Sequence, residues 1–257
     1  MNEDLANRPE PALSVVIPAY NEERILRASL ERIHAYFAGR PESFEILPVD
    51  DGSADGTSAV ADAFASDHPE CRPLRNGRNR GKGYTVRHGL AEARGRYVIF
   101  TDADLSTPIE ETGKFLEHLE QGYDLVIGSR DLPGSDVRVH QPWYRETMGR
   151  IFNRIVRILV VRGFVDTQCG FKAFRRAAFE PALPLLQIDR YRFDVELLFL
   201  AQRLGLRIAE IPVTWINCLD TRVDPLRDAT RMFVDLLRIR YYHISGRYRA
   251  AQAGQRS

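Results

Sequence analysis

Tyr97-Val98-Ile99-Phe100-Thr101-Asp102-Ala103-Asp104 is an apolar run that ends in two carboxylates separated by a single alanine. Val98, Ile99 and Phe100 form too short and too branched a run for a helix, so the stretch reads as a buried central strand. Asp102 and Asp104 then fall where the strand stops and a loop begins. In an open α/β sheet, ligands bind in the crevice outside the carboxyl ends of the strands. Two hard oxygen donors there, with room for waters and phosphates, suit Mg²⁺ or Mn²⁺. The same spacing also suits two turn-forming aspartates ahead of a helix expected from Pro108 to Glu120. The pair alone does not choose between these readings.

Working outward, the same grammar repeats. Leu13 to Ile17 reads as a strand stopped by Pro18, followed by Tyr20, Glu22 and a helix with Ile25, Leu26, Leu30, Ile33 and Phe37 at three- and four-residue spacing. Phe44 to Val49 is a second strand that runs into Asp50-Asp51-Gly52-Ser53, with a helix from Asp55-Gly56-Thr57 through Ala65. A short strand near Cys71 to Leu74 leads into Asn76-Gly-Arg-Asn-Arg-Gly-Lys-Gly83 and a helix to Ala93. Tyr123 to Gly128 is another apolar strand, ending at Ser129-Arg130. Strand, polar loop and helix alternate from residue 13 to about 130, which predicts βαβ units around a mostly parallel sheet. Tyr20 and Glu22, Asp50 and Asp51, Arg80 and Lys82, Asp102 and Asp104, and Arg130 would then line one edge. Each has a plain reading as a cap, a turn or solvated surface, but so many strand ends of this kind together favour a site. Carboxylates for a metal beside Arg80 and Lys82 in a glycine-flanked loop suggest a bound diphosphate. The loop has neither the Walker nor the dinucleotide glycine spacing.

The composition excludes several classes. With 257 residues, 44% hydrophobic and 28% charged, the chain is that of an ordinary globular protein with one substantial core. A formal net charge of +1 makes it no polycation, and no nucleic-acid signature accompanies its arginines, so no nucleic-acid partner is expected. Cys71, Cys169 and Cys218 are scattered without metal-finger spacing, as in a reducing compartment. Met1 to Pro11 is polar, and no run reaches the roughly eighteen apolar residues of a membrane span. A protein on the cytoplasmic side, at most peripheral to a membrane, is expected.

Four motifs carry a specific resemblance: Ser14-Val-Val-Ile-Pro-Ala-Tyr-Asn-Glu-Glu23, Val49-Asp-Asp-Gly-Ser-Ala-Asp-Gly-Thr57, Asn79-Arg-Gly-Lys-Gly83 and Thr101-Asp-Ala-Asp-Leu-Ser-Thr-Pro108. They are similar to family 2 glycosyltransferases of the GT-A fold. Gly128-Ser-Arg130, Asp166-Thr-Gln-Cys-Gly-Phe-Lys172, Phe193-Asp-Val-Glu-Leu197 and Ile211-Pro-Val-Thr-Trp215 resemble the polyprenyl-phosphate, or dolichyl-phosphate, β-glucosyltransferase branch. The likeness spans about residues 13 to 248. It implies one GT-A domain over 13–248, with a nucleotide-sugar half at 13–130 and an acceptor half at 131–248. A leader at 1–12 and a tail at 249–257 would flank it. It further implies that Pro18, Tyr20, Glu22, Asp50, Asp51, Arg80, Lys82, Asp102 and Ala103 bind a UDP-sugar, with Asp50 on the uracil. Asp104 would be the direct ligand of Mg²⁺ or Mn²⁺, and Asp102 would assist through ribose or water. In a related mannosyl branch a glutamine at the position of Ser106 also meets the metal.

Beyond Arg130 the alternation stops. Leu132 to Gln141 reads as a polar loop, and basic amphipathic helices are expected over Trp143–Val161 and Leu226–Tyr248. Such helices lie on anionic membranes or cover a sheet, and partial burial permits both. A polyprenyl phosphate acceptor gives the arginines a purpose. A phosphate monoester with a second pKa of about 6 is already anionic near neutral pH. Holding it beside a diphosphate calls for arginines and metal rather than a base. Arg130, Arg145 and Lys172 are the candidates for the acceptor phosphate. Asp194 and Glu196 fall where other family members keep a catalytic carboxylate. The resemblance to the β-glucosyltransferase branch implies that the reaction moves glucose from UDP-glucose to the lipid phosphate with inversion. The alternatives are another nucleotide sugar such as GDP-mannose, or a glycan or small hydroxyl acceptor. Thr221-Arg222-Val223 departs from the Ser-Lys-Val usual in this branch.

Overall fold

A computed structural model describes residues 10–138, 156, 159–190, 193–216 and 225–248, the last stretch with side chains from 234 onward. In chain order the elements are β1 (Leu13–Ala19), α1 (Glu23–Ala38), β2 (Phe44–Asp50), α2 (Thr57–Asp67), β3 (Leu74–Arg75), α3 (Lys82–Glu92) and β4 (Tyr97–Thr101). A 3-10 turn at Ile109–Glu111 leads into α4 (Thr112–Glu120), then β5 (Leu125–Ser129) and β6 (Asp136–Val137). The later elements are β7 (Phe171–Arg175), α5 (Arg176–Phe179), α6 (Phe193–Arg203), β8 (Ile208–Pro212), β9 (Thr214–Trp215) and α7 (Pro225–Ile244).

Among the described residues, seven strands form one sheet in the order β3-β2-β1-β4-β7-β5-β8. All neighbours are parallel except β7, which runs antiparallel to β4 and β5. The mostly parallel α/β architecture is as expected. The reversed strand between β4 and β5 is not, because Lys172 and Arg175 interrupt its apolar pattern. A second, two-stranded sheet pairs β6 with β9, so the segment read as a polar loop contains a short strand.

Alternation along the strands divides the core between two faces. Val15, Ile17, Ile46, Ile99, Val126, Phe171 and Ala173 pack with Leu26, Leu30, Ile33 and Phe37 of α1, Phe64 of α2 and Phe115 of α4. Val16, Leu47, Val49, Val98, Phe100, Ile127 and Phe174 pack with Val86 and Leu90 of α3, much of α6, and Leu236 and Ile239 of α7. The regular spacing of the α1 residues makes them one buried stripe. At about 1.5–3 kcal/mol for each fully buried large aliphatic or phenyl side chain, such stripes fix the helices and hence the loops at the strand ends.

Candidate active site

The carboxyl ends of β1, β2 and β4 meet along one edge, and their loops are joined by hydrogen bonds between groups far apart in sequence. Asn21, after β1, adopts a left-handed φ of 55°, which asparagine tolerates. Its N–H donates to Ser53 Oγ (2.9 Å), and its Oδ1 accepts from Ala54 N (2.9 Å). Asp50 is buried at the end of β2. Its carboxylate accepts from Ser53 N (3.0 Å), Ser53 Oγ (2.5 Å) and the Ser58 hydroxyl. Asp51 accepts from Asn76 Nδ2 (2.7 Å), Arg80 N (2.9 Å) and Gly81 N (2.8 Å), so it holds the Arg80–Lys82 loop in place. Gly52 has φ +71°, and a side chain there would strike the backbone of Arg78. Tyr20 is exposed beside this edge, while Pro18 and Glu22 are half-buried.

The Arg80 guanidinium lies 3.7 Å from the centroid of the Tyr84 ring. Lys82 opens α3 and reaches Asp102 Oδ1 at 2.6 Å. Burial alone would lower the Lys82 pKa, but Asp102, Asp194 and Asp104 outweigh it and raise the value above that of an ordinary lysine. The turn after β4 is strained: Leu105, a buried non-glycine residue, has φ 47°. Its N–H donates to Asp102 O (3.1 Å). Ala103 is buried, and its carbonyl accepts from Ser29 Oγ at 2.5 Å. Ser106 donates through its N–H to Asp104 Oδ1 (2.9 Å) and through its hydroxyl to Oδ2 (2.8 Å). Ser106 therefore fixes the orientation of the Asp104 carboxylate.

The second half of the chain closes over this edge. Gly170, just before β7, touches Asp102 so closely that a Cβ there would fall on the carboxylate. Arg130, at the end of β5, is clamped by the fully buried Asp166 through Nε (2.7 Å) and Nη2 (3.0 Å), and its backbone N donates to Asp166 Oδ2 (3.2 Å). Burial would raise the Asp166 pKa, but Arg130 and the N–H groups of Gln168 and Arg130 hold it below the usual carboxylate range. The Arg130 guanidinium lies 5.5 Å from the centroid of Trp215. Asp166, Gly170 and Trp215 stand in the motifs quoted above, yet no local signal assigned them these contacts.

Lys172, a candidate for the acceptor phosphate, lies inside the protein at 0% exposure. Its Nζ donates to Asp194 Oδ1 (2.5 Å) and Cys169 O (2.6 Å). Burial raises the Asp194 pKa against the opposing pull of Lys172 and Lys82. Glu196 is also buried, and it accepts from Gln187 N (3.0 Å), Ile188 N (2.8 Å) and Tyr248 Oη (2.6 Å). Its pKa is raised, chiefly by burial. Both carboxylates of the Phe193–Leu197 motif are thus engaged within the fold. Arg145, most of the Trp143–Val161 helix and the Thr221–Val223 motif lie outside the described residues.

On α7 the side chains from 234 onward have two apolar faces. Leu236 and Ile239 are buried against the sheet, whereas Val234 (46%), Leu237 (50%), Tyr241 (61%) and Ile244 (74%) are exposed at three- and four-residue spacing. Arg238 and Arg240 are exposed on the same helix, and Arg247 is exposed just beyond it. Among the described residues, no helix is long and apolar enough to cross a membrane.

Residues 14–182 match Glycosyl transferase family 2. The dolichyl-phosphate beta-glucosyltransferase of Dictyostelium discoideum is 35% identical over 91% of this chain and 75% of its own length. That of Drosophila melanogaster is 35% identical over 96% of this chain and 80% of its own length. Among solved structures, glucosyl-3-phosphoglycerate synthase from Mycobacterium tuberculosis, in complex with Mn²⁺, UDP-glucose and glycerol 3-phosphate, superposes with a TM-score of 0.64. It is 22% identical, over 89% of this chain and 78% of that one. The likeness of these structures identifies the fold as GT-A.

Proposed function

The chain belongs to glycosyl transferase family 2 and is a glycosyltransferase, and on that premise we propose that it moves glucose from UDP-glucose to a polyprenyl monophosphate such as dolichyl or undecaprenyl phosphate. The reaction inverts the α-linked donor to a polyprenyl-phosphate β-glucose and depends on Mg²⁺ or Mn²⁺. The observation that carries this reading is the match to dolichyl-phosphate β-glucosyltransferases over nearly the whole chain.

The donor set fits a hard divalent cation. Asp104 is a half-buried carboxylate oriented by Ser106, and Asp102 stands beside it with one oxygen on Lys82. Asp104 would hold the ion, with Asp102 assisting. When bound, the ion neutralises charge developing on the departing diphosphate. Lys82, kept protonated by the surrounding carboxylates, borders that diphosphate. Tyr20, Glu22, Pro18, Asp50, Asp51, Arg80 and Ala103 form the nucleoside side of the pocket. The clamp from Asp166 uses Nε and Nη2 of Arg130, which leaves the Nη1 edge to receive the acceptor phosphate together with Arg145. That phosphate already carries the attacking anion, so no base is needed. The engagement of Asp194 with Lys172, and of Glu196 with backbone amides and Tyr248, agrees with a base-free transfer.

The exposed stripe of α7 supports a peripheral seat on an anionic membrane, the place where the lipid acceptor resides. A helix with apolar residues on one side and arginines beside them sinks its apolar face into the headgroup boundary. Each nearby basic residue adds about 1 kcal/mol of attraction to such a surface. The cytoplasmic face is the expected location.

A test supplies UDP-glucose, UDP-galactose, UDP-N-acetylglucosamine and GDP-mannose, each radiolabelled, with undecaprenyl or dolichyl phosphate and Mg²⁺ or Mn²⁺. Label extractable into organic solvent from UDP-glucose alone is the expected result. Label confined to water-soluble product would sink the lipid acceptor, and transfer from GDP-mannose alone would sink the glucose donor.

A further inference from the structure

A second cluster of side chains of the metal-ligating type, His34, His68 and Glu70, lies at the amino edge of the sheet, away from the aspartates. α1 starts next to Glu22 at the donor edge, and His34 lies about 18 Å further along its axis at roughly 1.5 Å per residue. His68 ends α2, with its N–H donating to Phe64 O at 3.1 Å. The turn that follows is locked by Cys71 N to His68 O (2.9 Å), Ile46 N to Glu70 O (2.9 Å) and Arg72 N to Ile46 O (2.8 Å). These bonds hold His68 and Glu70 beside β2, while His34 approaches from a packed helix. One ligand atom from each of His34, His68 and Glu70 lies within 4.8 Å of the others, and all three residues are half-buried. His34 Nε2 is 3.8 Å from Glu70 Oε2. The two imidazole centroids are 4.2 Å apart, with Phe64 and Phe44 packed against the rings.

The other described histidines give a contrast. His88 Nδ1 bonds to Asn76, His118 Nδ1 to Lys114 O, and His243 Nδ1 to Arg203. Among the described residues, the ring nitrogens of His34 and His68 have no such hydrogen bond; His34 has only its longer approach to Glu70. Two imidazoles and a carboxylate are a ligand set for a borderline cation, whereas the oxygen donors at Asp104 suit a hard one. Donors about 2.1 Å from a tetrahedral Zn²⁺ stand about 3.4 Å apart, against 3.8 Å between His34 and Glu70 and no more than 4.8 Å for any pair of the three, a gap that side-chain rotation closes.

We propose that His34, His68 and Glu70 form a Zn²⁺ site, with water at the fourth position, that ties the end of α1 to the turn between α2 and β3. It is a structural clasp, separate from the donor-site ion. The test uses the full, tag-free chain, stripped with a chelator and kept in excess Mg²⁺, titrated with Zn²⁺ against a chromophoric competitor. One Zn²⁺ per chain and a rise in unfolding temperature are expected, both retained in Asp104→Ala. His34→Ala and Glu70→Gln should each weaken binding by more than the about tenfold lost when only a group supporting a ligand is removed. The Zn²⁺-dependent rise should disappear with them. Co²⁺ in place of Zn²⁺ should give a tetrahedral visible spectrum in the wild type and not in His68→Gln. Circular dichroism without added metal establishes that each variant is folded. Absence of Zn²⁺ binding at micromolar concentration overturns the proposal. So does binding unchanged in His34→Ala and His68→Gln, or binding lost in Asp104→Ala.

Discussion

Two lysine–aspartate pairs flank the ring of Phe100 and are put to opposite uses. Lys82 Nζ lies 5.6 Å from the ring centroid and meets Asp102 at 2.6 Å, with both side chains partly open to solvent. Lys172 Nζ lies 5.9 Å from the same ring and meets Asp194 at 2.5 Å, with both side chains enclosed. The first pair stands at the sheet edge, with Lys82 opening α3 and Asp102 just past β4, where a substrate can exchange places with water. The second joins the reversed strand β7 to α6. Charge within a family motif therefore does not by itself mark chemistry: the position of the pair relative to the sheet edge does.

The largest expected effect tests the open side of this comparison. Asp104→Ala should lower glucosyl transfer by about 10⁴-fold, roughly 5 kcal/mol of charge stabilisation, and leave the urea midpoint near that of the wild type. A variant that transfers at a tenth of the wild-type rate would remove Asp104 from the centre of the site. The enclosed pair should behave in the reverse way. Lys172→Met strands a buried carboxylate and should cost about 3–5 kcal/mol in urea unfolding, while Lys172→Met with Asp194→Leu recovers much of that. Burial already raises the Asp194 pKa, and loss of Lys172 raises it further, so proton uptake relieves the penalty. The deficit of Lys172→Met should accordingly narrow as pH falls. Lys82→Met should change stability by less than about 1 kcal/mol and reduce transfer. If the two lysine variants lose the same property, the distinction between the pairs fails.

Gly170→Ala probes where the halves touch. Its methyl group would displace Asp102 from Lys82, and misplacement of about 1 Å near reacting groups costs about 10²-fold in rate. A kcat within threefold of wild type, with the variant folded, would show that the contact tolerates a Cβ.

Much of the donor half was legible because each apolar run ends at polar turn residues. β1, β2, β4 and β5 stand close to their expected places, and Asp102 and Asp104 stand at the edge. β5 starts later than expected, at Leu125, and α4 is preceded by a 3-10 turn. β7 was hidden because Lys172 and Arg175 break its period. Their compensating partners, Asp194 and Leu119 O, are distant in sequence. Ser106 illustrates the same limit at the site. Its counterpart in the mannosyl branch meets the metal, whereas here its hydrogen bonds make it the support of Asp104. Pattern shows where strands end, but it does not show which charges face inward.

The clamp on Arg130 offers the smallest effect and the finest test, because it joins a buried carboxylate to an arginine at the edge. Asp166 titrates below its ordinary range: burial opposes ionisation, but Arg130 and the backbone N–H groups outweigh it. A depressed folded-state pKa means that the stabilisation is complete above the unfolded value of about 4 and is lost as pH falls through the folded one. Asp166→Asn keeps the shape and removes the charge, so it should cost about 2 kcal/mol in urea unfolding near neutral pH. That gap should stay level from about pH 8 to pH 5 and close below about pH 4. At pH 7 the same variant should raise the KM for polyprenyl phosphate more than that for UDP-glucose, since Arg130 is released while the Asp51 and Lys82 loop is untouched. Equal changes in both constants would place Arg130 in the general scaffold, on the side of Lys172 rather than of Lys82.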